Sequence, residues 1–233
     1  MSNPEHLKLA SSGPDALDHW RENNPDVQLD LAGADLSGVN LAGTKVRDAN
    51  LKGANLSGAR LTRANLAGAD LSGADLSEAD LGQAGMSGVD LTGANLTNAN
   101  LFWTDLKGAN LKNAVVRHCR MNRINLIGAD LSSADFTQSN MIEADLRNAD
   151  LTNARFQSAN MNGADLSRAI MPGADFNLAM IRDSMWIATD VRGANFNQAS
   201  LHRSDFTMAK WDDTTKFPEG FDPNNTGPKD VSE

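Results

Sequence analysis

Every fifth residue of this chain is large and apolar, without a break, from Leu31 to Trp211, which makes 37 positions in one register. We call each of these residues a centre. The residue two positions before a centre is small and mostly alanine, the residue directly before it is usually Asp or Asn, and the second residue after it is frequently glycine. A period of five fits neither an amphipathic helix nor a flat strand. The pattern therefore predicts short extended segments separated by turns, with two inward side chains in every five residues.

Segments of this kind can bury their inward side chains only by stacking along an axis. Each coil of the stack then pairs its backbone with the next coil at a spacing of about 4.8 Å. The alternative is a disordered segment rich in Ala, Asp and Gly, but disorder gives no reason for 37 apolar centres to stay in phase. The sequence therefore predicts a solenoid.

The motif AlaAspLeuSerGly, found at 34–38 and 69–73, resembles the signature of pentapeptide-repeat proteins, a family with bacterial members. The resemblance covers roughly residues 29–211. It implies an all-β fold, a right-handed quadrilateral parallel β-helix (a β-solenoid) with four pentapeptides in each coil and about nine coils. The sequence offers its own hint of this spacing, because four phenylalanine centres stand 20 residues apart: Phe136, Phe156, Phe176 and Phe196.

The two ends of the solenoid are predicted to carry caps, because an open coil exposes unpaired backbone groups. Residues 1–28 are predicted to form a short helical cap, with a proline at the expected start of each of two helices. Residues 212–233 are expected to form a non-helical flap whose rings, Phe217 and Phe221, cover the last coil. Residues 224–233 are expected to be a disordered tail.

Composition and charge exclude several classes of protein. No apolar run approaches the 18 or so residues that a membrane helix needs, and the first ten residues lack the layout of a signal peptide. We therefore expect a cytoplasmic protein with no membrane partner. The single cysteine, Cys119, excludes an intramolecular disulfide and a cysteine-based zinc site. The net charge of −9 argues against direct binding to nucleic acid.

A catalytic site is not predicted. His118 and Cys119 are adjacent in sequence, which suggests a general base beside a nucleophile, but the register places Cys119 inward and His118 outward. Acidic residues such as Asp130, Asp150 and Asp190 recur in the register, yet calcium needs several oxygens converging on one ion. We interpret these carboxylates as partners of the turn backbone instead. The chain is therefore predicted not to be an enzyme and to hold no metal or cofactor.

The distribution of charge bears on one activity of the resembling family. Some of its members protect DNA gyrase, a type II topoisomerase, by presenting an acidic rod shaped like a DNA duplex. Here residues 30–210 hold 19 acids and 17 bases, so the repeat region is almost neutral. Duplex DNA carries one negative charge per ~1.7 Å of axis. A DNA mimic with gyrase as its partner is therefore the alternative interpretation. The wall that includes Leu41 is basic, with six arginines against three acids: Arg60, Arg63, Arg120, Arg123, Arg182 and Arg203.

Departures from the repeat mark a candidate surface for protein–protein interaction. Phe102 and Trp103 occupy consecutive outward positions where Ser-Gly is usual, and Arg123 is expected one coil away from Trp103, within reach of a cation–π contact. A second apolar group falls on outward positions of the last three coils: Ile170, Leu178, Met180, Met185, Ile187 and Met208. We expect the flap or a partner, most simply a second copy in a twofold homodimer, to cover this group. The predicted function is a rigid, non-enzymatic scaffold for another protein or for itself.

Overall fold

The computed structural model describes residues 2–226. Two helices, α1 (Pro4–Ser11) and α2 (Pro14–Asn23), precede a β-helix with four sides. In the described part of the chain, neither helix is long and apolar enough to cross a membrane. The predicted division into residues 1–28, 29–211 and 212–233 stays a prediction.

Backbone pairing in the β-helix follows a step of 20 residues. The residue before each centre pairs in parallel with the residue 20 positions later, as Asp30 does with Asn50 and Asp190 does with Lys210. Each pairing is an isolated bridge that joins one residue of a coil to one residue of the next coil, and it recurs once on each side. No strand of consecutive paired residues therefore occurs within residues 2–226. Twenty residues therefore make one coil of four sides, each side contributed by one repeat.

The faces and coils are named as follows. Faces 1 to 4 are named after their first centres, in chain order: Leu31, Leu36, Leu41 and Val46. Coil 1 comprises residues 29–48, and each following coil takes the next 20 residues. Positions 20 residues apart form a column that runs along the axis. Since the faces follow one another around the coil, face 1 lies opposite face 3.

The corners between faces are β-turns. In the first corner the N–H of Ala34 donates to the carbonyl of Leu31 at 3.0 Å, and Gly33 has a φ of +66°. Positive φ at the third position is what a type II turn requires, and glycine adopts it without strain. Bulkier residues adopt it here too, because the coil above pairs with the same position: Gly33 N–H donates to the carbonyl of Lys52 at 2.8 Å.

The centres and the small residues between them form a single buried core from Leu31 to Phe206. Leucine fills most columns, and the alanines leave room for the opposite walls to meet. The four phenylalanine centres form a ladder on face 2, with stacked rings whose centroids are 4.9 to 5.0 Å apart and whose planes are within 5° of parallel. The core is therefore a set of parallel columns of like residues.

The two helices lie against the first coil. Asn3 caps α1, because its side-chain oxygen accepts a hydrogen bond from the N–H of Glu5 at 2.9 Å. His6 on α1 accepts a hydrogen bond from the N–H of Asp30 at 2.9 Å. On α2, the carboxylate of Asp18 accepts from the N–H of Lys45 at 3.0 Å. These contacts satisfy backbone donors that have no coil beneath them.

The register changes at the C-terminal end, after Trp211, the last of the predicted centres. Asp190 still pairs with Lys210, 20 residues later, but Asn195 pairs with Lys216, 21 residues later, and Trp211 is only half-buried. The ring that stacks on Phe196 is Phe217, which thus continues the ladder of face 2. One extra residue in the preceding corner causes the shift. Of the predicted disordered tail, residues 227–233 lie outside the described part of the chain.

Candidate functional site

The aromatic pair singled out in the sequence is exposed on face 3. Phe102 and Trp103 are 42% and 52% exposed in coil 4, and their rings are stacked with centroids 6.0 Å apart. The guanidinium of Arg123, one coil further along, lies over the Trp103 ring at 5.8 Å. The predicted cation–π contact is therefore confirmed. Arg123 also forms an ion pair with Glu143, with 2.7 Å between Nε and Oε2.

The backbone at Trp103 is in the left-handed region, with a φ of +56°. A non-glycine residue pays roughly 1–2 kcal/mol for this conformation. Glycine occupies the equivalent turn position in many repeats, for example Gly38 and Gly73. An exposed tryptophan at this position thus costs conformational free energy and gains little burial.

Two cavities on face 3 meet at Phe102. One of about 370 Å³ extends toward coil 1 and is lined by Arg63, Asp80 and Gly82 among others. The other, of about 340 Å³, extends toward coil 6 and is lined by Arg120. The two cavities share Asn100 and Phe102 in their linings, so they lie on either side of the phenyl ring along the face, and we call the two together the groove. The groove could not be predicted from the sequence, because its depth depends on how side chains of neighbouring coils fill the surface.

The groove carries unpaired cations. Arg63 and Arg120 line it, Arg60 stands in the same column as Arg120, and none of the three has a carboxylate within ion-pair distance in residues 2–226. Arg63 instead donates to the side-chain oxygen of Gln83 at 2.8 Å. The one acid that lines the cavities is Asp80, and it already accepts three hydrogen bonds, from Thr62, Gly82 and Asn100. The surface around the aromatic pair is therefore positive, although the whole chain is acidic.

The second apolar group does not form one continuous patch. Five of its six members are 43% to 76% exposed and the sixth, Ile187, is half-buried. Each of the six stands in a different column, with polar neighbours above and below in most cases. Met185, for example, lies between Asp165 and Asp205. The described part of the flap leaves the group uncovered, because Phe217 and Phe221 pack on the end of the core.

The residues considered for catalysis have structural surroundings. Cys119 is buried, and its thiol donates to the carbonyl of Leu96 at 2.9 Å. Burial raises the pKa of this thiol from its ordinary value of 9.0 to about 12, which keeps it protonated at neutral pH. His118 points outward. In residues 2–226 no three His, Cys, Asp or Glu side chains gather as a metal site would need.

The carboxylates of the register act as predicted, as partners of the turn backbone. Asp130 accepts from the N–H of Ser132 at 2.9 Å and Asp150 from the N–H of Thr152 at 2.9 Å. The carboxylate of the buried Asp135 also accepts a hydrogen bond from the guanidinium of Arg117. Burial by itself would raise the pKa of Asp135, but the hydrogen bonds from Arg117 and Thr137 outweigh burial and hold that pKa below its usual value.

Comparison with known proteins agrees with this architecture. Eight copies of the family model "Pentapeptide repeats" match between residues 28 and 184. Among solved structures, the chain is similar to HetL, a pentapeptide repeat protein involved in heterocyst differentiation regulation in the cyanobacterium Nostoc. The identity is 25% and the TM-score 0.58, over 86% of this chain and 92% of that chain. No match occurs among curated proteins.

A second solved structure that resembles the chain is full-length QnrB1, a plasmid-mediated fluoroquinolone resistance protein. The identity is 19% and the TM-score 0.66, over 75% of this chain and 92% of that chain. At this identity the likeness concerns the fold.

Proposed function

Because this chain belongs to the pentapeptide-repeat family and folds as its quadrilateral β-helix, we propose that it is a rigid, non-enzymatic scaffold that binds a protein partner. The observation that carries the proposal is the exposed pair Phe102 and Trp103, which takes the place of the Ser-Gly found in other turns. Tryptophan, with arginine, is among the residues enriched at the energetic centre of protein interfaces. Face 3 around this pair is the proposed binding surface.

One feature supports a role in binding rather than in folding, namely that the pair contributes nothing to the buried core. The positive φ of Trp103 does not single it out, because 21 other non-glycine residues in the described part of the chain share it. The likeness to HetL, a protein involved in regulation, is consistent with a scaffold that acts by contact.

Capture of partners by matched variants tests this proposal. The immobilised protein is compared with Phe102→Ser/Trp103→Gly, which restores the usual turn residues on face 3. The control is Lys112→Ser/Asn113→Gly, which makes the same replacement at the same turn positions of face 1. Asn113 also has a positive φ, of +59°, so both variants gain a glycine where it is favoured.

We expect one partner to be retained from an extract of the source cells by the wild type and by the control, and lost by the face 3 variant. An identical set of retained proteins for all three would contradict the proposal. Purified partner and scaffold are then titrated directly, so that the loss is measured as a change in Kd.

The uncovered apolar group supports a second copy as a further partner. We propose that Met180 and Met185 contribute to a homodimer, because both are more than 40% exposed. Asn is common at their register position, so Met180→Asn/Met185→Asn removes the apolar surface with little cost to the fold. Light scattering is expected to give a dimer for the wild type and a monomer for the variant. A wild type that is monomeric at high micromolar concentration would contradict the homodimer.

A second candidate function is DNA mimicry toward gyrase, and one observation favours it. On face 1, Asp70 pairs with Asp90 and Asp130 pairs with Asp150, so carboxylates follow one another along the axis. Cations on the same face reduce this charge: Lys52, Lys112, Arg192 and Lys210. A supercoiling assay separates the two functions. The scaffold leaves gyrase unaffected at micromolar concentration, whereas a mimic inhibits it and loses that effect when Asp130 and Asp150 become Lys.

A further inference from the structure

We infer that the groove on face 3 binds an extended, acidic segment of the partner protein. This inference rests on the proposed function and adds the chemistry of the bound segment to it. The groove combines three features that such a segment would recognise: a long shallow shape, unpaired arginines and an exposed aromatic pair.

The shape of the groove fits an extended chain. Its lining runs from Ala42 in coil 1 to Asn140 in coil 6. Five coil spacings of about 4.8 Å give a length of roughly 24 Å, which about seven residues of extended chain would span at ~3.3 Å each. Gly82 lines the groove with a φ outside the left-handed region, and an added Cβ would stand 3.3 Å from Oδ1 of Asp80 and 3.4 Å from Nδ2 of Asn100. A larger side chain at this position would therefore crowd these groups and reduce the space in the groove.

The charge of the groove selects carboxylates. Arg63 and Arg120 line the groove and Arg60 stands in the column of Arg120; all three are exposed and have no acidic partner in the described residues. Arginine binds carboxylates with two parallel hydrogen bonds, which gives both strength and orientation. Seven other exposed arginines in the described residues are paired with carboxylates, as Arg147 is with Asp145, whereas Arg168 and Arg182 are not. An acidic segment would therefore supply counterions that this face lacks.

Two amide groups in the groove also lack partners. The Oδ1 atoms of Asn122 and Asn140 are buried and accept no hydrogen bond within residues 2–226. Both residues line the cavity that also contains Phe102 and Arg120. A buried acceptor without a donor costs ~1–3 kcal/mol. A small rotation of each amide would present the atom to the N–H groups of an extended main chain.

A protein segment fits these observations better than a single strand of nucleic acid. A strand carries a phosphate at every nucleotide and would meet Asp80 within the groove and Glu143 beside it. A peptide can place its carboxylates opposite the arginines and uncharged residues opposite the acids.

Selection from a random library tests the inference with defined probes. Octapeptides displayed on phage are panned against the wild type, and selected peptides are then measured by fluorescence anisotropy against three variants. Arg63→Glu/Arg120→Glu reverses the charge of the groove, and Gly82→Thr fills it. Lys52→Glu/Lys112→Glu is the control, because it makes the same change in net charge on the opposite face. A 12-residue oligothymidylate is measured in parallel.

We expect the selected peptides to be enriched in Asp and Glu together with an apolar residue. Their affinity should fall at least tenfold in the groove variants, fall with added salt, and stay within twofold in the control. Three results would overturn the inference: selected peptides without acidic enrichment, an equal loss in the control, or tighter binding of the oligothymidylate. If partner capture still depends on Phe102 and Trp103 in that case, the scaffold function stands and only the acidic character of the segment fails.

Discussion

Phe217 stacks on Phe196 with ring centroids 5.5 Å apart and planes within 3° of parallel, although the two residues are 21 rather than 20 positions apart. The extra residue is absorbed in the corner that follows Trp211, and the ladder on face 2 gains a final ring. Phe217 also meets Phe206 and Phe221, at 5.9 and 5.5 Å. The end of the β-helix is thus closed by aromatic rings that continue its own core.

Replacing Phe217 by alanine is expected to destabilise the protein by ~2 kcal/mol or more, since the ring contacts four other aromatic residues at the end of the core. Phe102→Ala is the matched control, because that ring is exposed on a face. The free energy of unfolding from urea titration checks both, and the control should lie within ~0.5 kcal/mol of the wild type. Equal losses would show that the C-terminal ring is not part of the core.

Replacing a buried alanine by a larger residue tests which positions of the repeat point into the core. Ala94 is completely buried between walls that are in contact, so Ala94→Leu should cost ~1–3 kcal/mol or more. Ala67 lies at an outward turn position, and Ala67→Leu makes the same change of side chain there. We expect a large drop in melting temperature for the first variant and almost none for the second. Similar drops in the two would mean that the inward positions are assigned wrongly.

Replacing each of two glycines by alanine measures the cost of backbone strain without a contribution from steric crowding. Gly93 has a φ of +65° and Gly85 does not have a positive φ, while an added Cβ would meet no atom within 4 Å at either position. Gly93→Ala should therefore lower the stability by ~1 kcal/mol through strain alone. Gly85→Ala should leave it unchanged or raise it, because alanine restricts the unfolded chain. The opposite ranking in urea titrations would contradict the turn geometry.

The buried thiol of Cys119 is expected to make the free energy of unfolding depend on pH in the alkaline range. Its thiol pKa is raised from 9.0 to about 12 in the folded protein, so the unfolded state loses this proton first as pH rises. The stability contributed by the protonated thiol is complete below pH 9 and is lost as pH rises from about 9 to about 12. In Cys119→Ala this part of the pH dependence disappears. Parallel curves for both proteins between pH 8 and 11 would rule out the shift.

Much of this fold follows from the sequence, because a period of five with two inward residues leaves few alternatives. The five-residue register from Leu31 to Phe206 can be predicted from the sequence alone, since a shift of the inward positions by one residue would bury the polar turn residues. The shift before Lys216 could not be predicted, because five-residue spacing to Trp211 continues in the sequence. Only the packing of Phe217 on Phe196 shows that one extra residue lies between Trp211 and Lys216.

The candidate site was predicted in part. Phe102, Trp103 and Arg123 stand out because they replace small turn residues, and the coil spacing brings the last two together. The groove beside them depends on Gly82, whose lack of a side chain matters only because Asp80 and Asn100 turn toward each other. Such side-chain arrangements between coils are not encoded in the repeat. The same holds for Ile187, which the register placed outward but which neighbouring coils half-cover.

The most direct test of a binding role for Phe102 and Trp103 is the free energy of unfolding of Phe102→Ser/Trp103→Gly, measured by urea titration against the wild type. If the pair is kept for a partner, the variant should be as stable as the wild type or more stable by up to ~2 kcal/mol, because glycine relieves the positive φ at position 103. A loss of more than ~1 kcal/mol would show that the pair supports the fold itself, and would contradict its assignment as the binding surface.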